Sequence, residues 1–301
     1  MVEGADTGRV VVGVDGSPGA RAALVWAMAD AARRGARLQV VSAFPVEIYW
    51  GDPALIDERR IEAVRADTEG RVRALVDEVG SQSGDGPLGV DVVVTPGPAA
   101  HGVLAAAEDA DLLVVGSRGR GPVRSTVLGS VALHAVTHAR CPVVVVHPRA
   151  DTASASPRVV VGVDGSAGSR EALARAVAEA GRLDADVTAI AAYTVRSYWS
   201  GAYQAAVPPV ERLREAVRSD AEAMVAEAGA PTTVGIRVLP VEGPAGDTLV
   251  RAAEGAELLV VGSRGRGAVR GMLLGSVALH CVIHAPCPVM VVRARAGAAV
   301  G

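Results

Sequence analysis

Two glycine-rich segments carry residue types suited to holding a phosphate. Gly116-Ser117-Arg118-Gly119-Arg120-Gly121 leads to Gly129-Ser130-Val131, and Gly262-Ser263-Arg264-Gly265-Arg266-Gly267 leads to Gly275-Ser276-Val277. The spacing is the same in both: Gly, two residues, Gly, nine residues, Gly-Ser. Each copy follows an apolar run and precedes a helix-like segment. A loop between a strand and a helix start presents unpaired backbone N–H groups to an anion. Glycines there allow positive φ and let the backbone approach a ligand closely. Ser130 and Ser276 add a hydroxyl and the positive end of a helix dipole. Arg118, Arg120 and Arg124, matched by Arg264, Arg266 and Arg270, bring guanidinium forks that suit phosphate oxygens; solvated loop arginines are an equally common reading. All 30 basic residues are arginine, which rules out the lysine-dependent Walker A loop.

A second pair of segments belongs with these loops. Arg9-Val-Val-Val-Gly13-Val14-Asp15-Gly-Ser17 recurs 149 residues later as Arg158-Val-Val-Val-Gly162-Val163-Asp164-Gly-Ser166. Asp15 and Asp164 each end an apolar run. Two readings stand: an Asp before Gly-Ser organises a turn, or it bonds a sugar hydroxyl or shares a divalent cation beside the phosphates.

The elements that position these residues are short. In the first half, Val- and Leu-rich runs near 9–14, 37–43, 90–95, 111–115 and 142–147 read as strands buried on both faces of a parallel sheet. The first helix starts at Ser17, an N-cap with Pro18 at N1, and stops at Gly35. A second helix spans roughly 57–79, a third begins near Pro98, and a fourth opens at Ser130 and ends before Pro142. The second half repeats the plan, with strands near 158–163, 186–191, 233–239, 257–261 and 288–293. Alternation of strand and helix implies an α/β fold of two doubly wound α/β/α sandwiches. Ligands in such sheets sit where strand order reverses, here between the first and fourth strands, which brings Asp15 and the Gly116–Ser130 loop to one crevice. The small, polar stretch from Pro148 to Pro157 reads as a linker, so the domains are 1–148 and 157–295.

Both halves resemble universal stress protein domains of the ATP-binding type. The resemblance rests on Val-Gly-Val-Asp-Gly-Ser, the full Gly-x2-Gly-x9-Gly-Ser signature and the closing Cys-Pro-Val strand at Cys141 and Cys287. It covers nearly the whole chain and implies, for each domain, an adenine nucleotide alpha hydrolase-like fold with a five-stranded parallel sheet of order 3-2-1-4-5. By resemblance, Asp15 and Asp164 lie near ribose and phosphates, and backbone around Ala43 and Ala192 borders adenine. The glycines, Ser130 and Ser276 cradle the phosphates of one ATP per domain. The family also implies pairing of fifth strands, hence an intrachain pseudo-dimer and a homodimer.

The remaining features narrow the function. A net charge of −3 gives no basic field for nucleic acid. No apolar stretch approaches the roughly 18 residues of a membrane span. The first residues lack the pattern of a signal peptide, and three scattered cysteines fit a reducing cytoplasm. His134/His138 and His280/His284 stand four apart, but no third metal ligand accompanies them. No catalytic constellation is present. Seven of the eight aromatics lie after the second strands: Phe44, Tyr49 and Trp50, then Tyr193, Tyr198, Trp199 and Tyr203. They read either as covers or contact arms near a nucleotide, or as packing under the second helix. The leading expectation is a nucleotide-dependent regulator of stress response or growth state with an unidentified protein partner. The alternatives are a slow Mg2+-dependent ATP hydrolase and an assembly protein with empty pockets. Gly271-Met272 in place of Ser125-Thr126 removes two hydroxyls, so the sites are expected to be unequal.

Overall fold

The computed structural model describes residues 8–44, 58–83, 89–119, 128–148, 157–195, 209–229, 231–267 and 272–294. The chain divides into two compact units, Met1–Ala150 and Asp151–Gly301. The first runs β1 (Arg9–Gly13), α1 (Pro18–Arg34), β2 (Arg37–Phe44), α2 (Glu58–Ser83), β3 (Val90–Pro96), α3 (Ala99–Ala106), β4 (Leu112–Gly116), α4 (Ser130–His138) and β5 (Val143–Val146). All its strand pairs are parallel, in the order β3-β2-β1-β4-β5. Val10, Val11, Val12, Leu112, Leu113 and Val114 have no exposed surface, as expected of strands covered on both faces. Helix α1 packs against α2, and α3 against α4, so each sheet face carries a helix layer.

The second unit repeats this with β6 (Arg158–Gly162), α5 (Ala167–Leu183), β7 (Asp186–Tyr193), α6 (Val210–Glu227), β8 (Ile236–Glu242), α7 (Ala245–Ala252), β9 (Leu258–Gly262), α8 (Ser276–His284) and β10 (Val289–Val292). Its parallel pairs give β8-β7-β6-β9-β10. One strand departs from its expected place: β8 starts at Ile236, not near 233. Thr232-Thr233-Val234 resembles a strand by residue type, but the Val234 N–H closes a turn onto the Pro231 carbonyl. Pro240, which argues against a central strand, is tolerated because β8 pairs only with β7, where Pro240 stands opposite Ala191.

Local chemistry fixes the helix ends nearest the site. Ser17 Oγ accepts the Ala20 N–H at 3.1 Å, and Ser166 Oγ accepts that of Ser169 at 3.2 Å. Gly35 ends α1 with φ of 61°, while Asp184 takes the same left-handed role after α5 at φ of 50°. Inside α1 and α5 sit buried carboxylates, Asp30 and Glu179. Arg33 and Arg34 neutralise the first, and Arg175 and Arg182 the second.

Candidate functional site

In each unit the ends of the first and fourth strands open a cleft. In the first, of about 450 Å³, the walls include Gly13, Val14 and Asp15 after β1 and Ala43 from β2. Gly116, Arg118 and Gly119 follow β4, and Gly129, Ser130 and Val131 start α4. In the second, of about 180 Å³, the corresponding walls are Gly162, Val163, Asp164, Ala192, Gly262, Arg264, Gly265, Arg266, Gly267, Gly275, Ser276 and Val277. Arg120, Gly121, Arg124, Ser125, Thr126, Arg270 and Gly271 lie outside the described residues, as do Tyr49, Trp50, Tyr198, Trp199 and Tyr203.

Two expected ligand residues take another part. Ser117 and Ser263 do not line the clefts; they are buried beneath the loops. The Ser117 N–H donates to the Val146 carbonyl at 2.8 Å, and the Ser117 carbonyl accepts the Gly129 N–H at 2.9 Å. Ser263 makes the same two bonds with Val292 and Gly275, each at 2.7 Å. These serines tie together the strand end, the loop and the helix start.

The glycines serve close approach, and their conformation corrects the expectation of positive φ. None of the described glycines in the two Gly-x2-Gly-x9-Gly signatures adopts it; positive φ falls instead on Gly16 and Gly165, next to Asp15 and Asp164. A Cβ on Gly116 would lie 2.6 Å from the Gly19 backbone, and one on Gly262 would lie 2.7 Å from that of Gly168. Each loop thus packs backbone to backbone on the first helix of its unit. A Cβ on Gly119 would meet Asp15 Oδ2 at 2.6 Å, and one on Gly265 would meet Asp164 Oδ2 at 2.5 Å.

Asp164 organises the loop around its carboxylate. Oδ1 accepts the Ser166 N–H at 3.0 Å and its hydroxyl at 2.6 Å, and Oδ2 accepts the Arg266 N–H at 2.9 Å. Burial pushes this carboxyl's pKa up, but the bonds from Ser166, Arg266 and Ser169 together outweigh it and hold the group below its usual range. In the first unit Asp15 Oδ1 accepts the Ser17 N–H at 2.9 Å. Among the described residues no group of three or more His, Cys, Asp and Glu is placed to hold a metal ion.

Helices α4 and α8 begin without a side-chain cap, at Gly129 and Gly275, and their first residues face the clefts. Their orphan N–H groups and dipoles are thus aimed at any ligand there. The clefts also have an apolar wall: Val41, Ala99 and Val103 in the first unit, Ile190, Ala245 and Leu249 in the second. The sequence reading missed this wall. Its signal was Gly13 and Gly162, whose absent Cβ atoms leave room for Val103 and Leu249, each 3.0 Å from where a Cβ would stand.

The histidines and cysteines stand apart from the clefts. His134 and His138 stack with ring centroids 5.7 Å apart, and their Nδ1 atoms bond the carbonyls of Ser130 and His134. His280 Nε2 lies 3.0 Å from Asp247 Oδ1. Cys141, Cys281 and Cys287 are buried free thiols. Phe44 is buried and Tyr193 half-buried.

A doubly wound α/β unit with a donor-rich loop at its strand-order reversal, present twice, defines a tandem α/β protein with a candidate anion cleft in each unit. The chain belongs to the universal stress protein family. Its family model matches residues 7–147 and again 156–293. Universal stress protein Rv2623 of Mycobacterium tuberculosis is 36% identical over 299 residues, 94% of this chain and 96% of that protein. A universal stress protein of Mycolicibacterium smegmatis is 33% identical over 98% of this chain and its own full length. The crystal structure of a universal stress protein from Archaeoglobus fulgidus shares the fold, with a TM-score of 0.64 over 95% of this chain and 96% of that one, at 20% identity. No helix among the described residues is long and apolar enough to cross a membrane.

Proposed function

We propose that each unit binds one ATP and that the protein is a nucleotide-dependent regulator of stress response or growth state in the cytoplasm. One observation carries this reading: in both units an uncapped helix start, a glycine loop and a set of apolar residues line a single cleft. That combination suits a ligand with a flat apolar base at one end and a polyphosphate at the other. Ala43 and Ala192 border the base; Gly119, Gly129, Ser130 and their counterparts Gly265, Gly275 and Ser276 hold the phosphates. The hydrolase alternative asks Asp15 and Asp164 to hold Mg2+ and the loop arginines to stabilise phosphate charge; here Asp164 accepts bonds from Ser166 and Arg266, and Asp15 accepts the Ser17 N–H, so both carboxylates are engaged in holding their loops. Regulation then runs through binding, read by a protein partner, with the chain as a homodimer. Equilibrium dialysis of the intact protein with ATP and Mg2+ tests this, together with denaturation of fresh material and counting of released nucleotide. Two adenylates per chain are expected; no uptake by folded protein refutes the proposal.

A further inference from the structure

The helices that frame the two clefts are joined differently. In the second unit α7 lends the cleft Ala245 and Leu249, and α8 lends it Ser276, Val277 and Ala278. These helices also pack on each other. There His280 Nε2 lies 3.0 Å from Asp247 Oδ1, so the imidazole N–H donates to the carboxylate. His280 follows Ser276 by one helical turn, and Asp247 stands between the two cleft residues of α7. Gly246 makes room for the imidazole: a Cβ there would lie 2.8 Å from His280 Cδ2 and 2.9 Å from Cγ. The first unit packs α3 on α4 in the same way but keeps only the histidine of this contact. The register that matches Gly116 with Gly262 sets Ala100 against Gly246 and His101 against Asp247. A methyl group thus stands where the glycine admits the ring, and an imidazole where the carboxylate receives it. His134, the counterpart of His280, is exposed where His280 is half-buried. Its Nδ1 bonds the Ser130 carbonyl at 2.9 Å, and its ring stacks on that of His138.

We infer that Asp247 and His280 form a latch that holds α7 against α8 and presets the second cleft for its ligand, an aid the first cleft lacks. The inference rests on the nucleotide reading for its ligand. A nucleotide in this cleft touches apolar residues of one helix and the N-terminal donors of the other. A contact that fixes the spacing of the two helices beforehand removes a cost otherwise drawn from binding. Asp247 and His280 are positioning residues, since neither lines the cleft. The advantage of the second site therefore lies in Gly246, Asp247 and His280, outside the glycine signature that both units share.

The test uses the full chain carrying Gly119→Ala, which weakens the first cleft, titrated calorimetrically with ATP. Asp247→Ala and His280→Ala are each expected to weaken ATP about fivefold, and the double variant no further. Asp247→Asn, which keeps an acceptor for the imidazole, recovers part of the loss; Gly246→Ala, which fills the place of the ring, repeats it. In the reciprocal background, Gly265→Ala, the pair Ala100→Gly and His101→Asp builds the latch in the first unit. It should strengthen ATP about fivefold, and His134→Ala should cancel the gain. Thermal unfolding shows that each variant is folded. ATP affinity unmoved in folded Asp247→Ala makes the contact merely structural and overturns the inference, as do additive losses in the double variant or no gain from the graft. Hydrogen exchange of α7 and α8 without nucleotide reads the latch alone. Faster exchange in Asp247→Ala than in the parent is expected, and equal exchange overturns the latch. Faster exchange in a chain that takes up no adenylate refutes the ATP reading and upholds the latch.

Discussion

Replacing Gly265 with Ala tests whether Asp164 shapes the loop. The new Cβ would stand 2.5 Å from Asp164 Oδ2, and ordinary contact begins at 3.4 Å, so loop and carboxylate must separate by about 0.9 Å. The Arg266 N–H to Oδ2 bond, now 2.9 Å, cannot survive that separation. A hydrogen bond to a charged acceptor is worth about 1.5–3 kcal/mol. If a nucleotide binds only the formed loop, its affinity for the second cleft falls about tenfold to a hundredfold. Calorimetric titration with ATP reads this, and thermal unfolding reads the accompanying loss of stability. Gly275→Ala is the control for stability. Gly275 is extended, at φ of −80° and ψ of 155°, and a Cβ there meets the Ser263 carbonyl at an ordinary 3.4 Å. Its stability cost should stay within about 0.5 kcal/mol. The sharper check is a double mutant. Asp164→Ala removes the atoms that the new methyl strikes, so Gly265→Ala adds little on top of it. Additive losses in the double mutant would falsify the proposed contact.

Three further outcomes follow from the same geometry. Asp30→Ala strands the buried Arg34 without its carboxylate and should destabilise the first unit by about 3–5 kcal/mol in denaturant unfolding; Asp30→Asn, which keeps an acceptor, should cost less. The Asp164 carboxyl has a folded pKa below its unfolded value of about 3.9, so its contribution is fully present above that pH and disappears as pH falls through the folded value. The stability gap between the parent and Asp164→Asn should accordingly close below about pH 4, and a gap constant down to strong acid contradicts this. The Cys281 thiol is pushed up to about 12 by burial and by the neighbouring Cys287, so the native protein should resist alkylation at neutral pH. Rapid labelling of Cys281 without unfolding would show that the thiol is accessible.

The fold was legible because its strands are unbroken Val and Leu runs that suit only a doubly covered sheet, and because the chain states the pattern twice. Ser17-Pro18 and Gly35 gave both ends of α1 through their local geometry. The misplaced start of β8 shows where such reading weakens. Residue type favours Thr232-Thr233-Val234 as a strand, but only the partner β7 decides which residues extend the ladder, and it pairs from Ile236 onward. An edge strand accepts Pro240, so the usual veto on proline inside a strand misleads there.

The site was legible in its address more than in its parts. The repeated spacing pointed to both clefts, and several of its residues have a structural part as well. Gly116 and Gly262 are small because the loop backbone lies on Gly19 and Gly168, and Gly119 and Gly265 because a carboxylate lies against them. A motif of this kind therefore records how the loop holds itself together as much as what it holds. The apolar wall escaped notice because Val103 and Leu249 look like ordinary core residues; only the missing Cβ atoms of Gly13 and Gly162 betray their reach across the strand end.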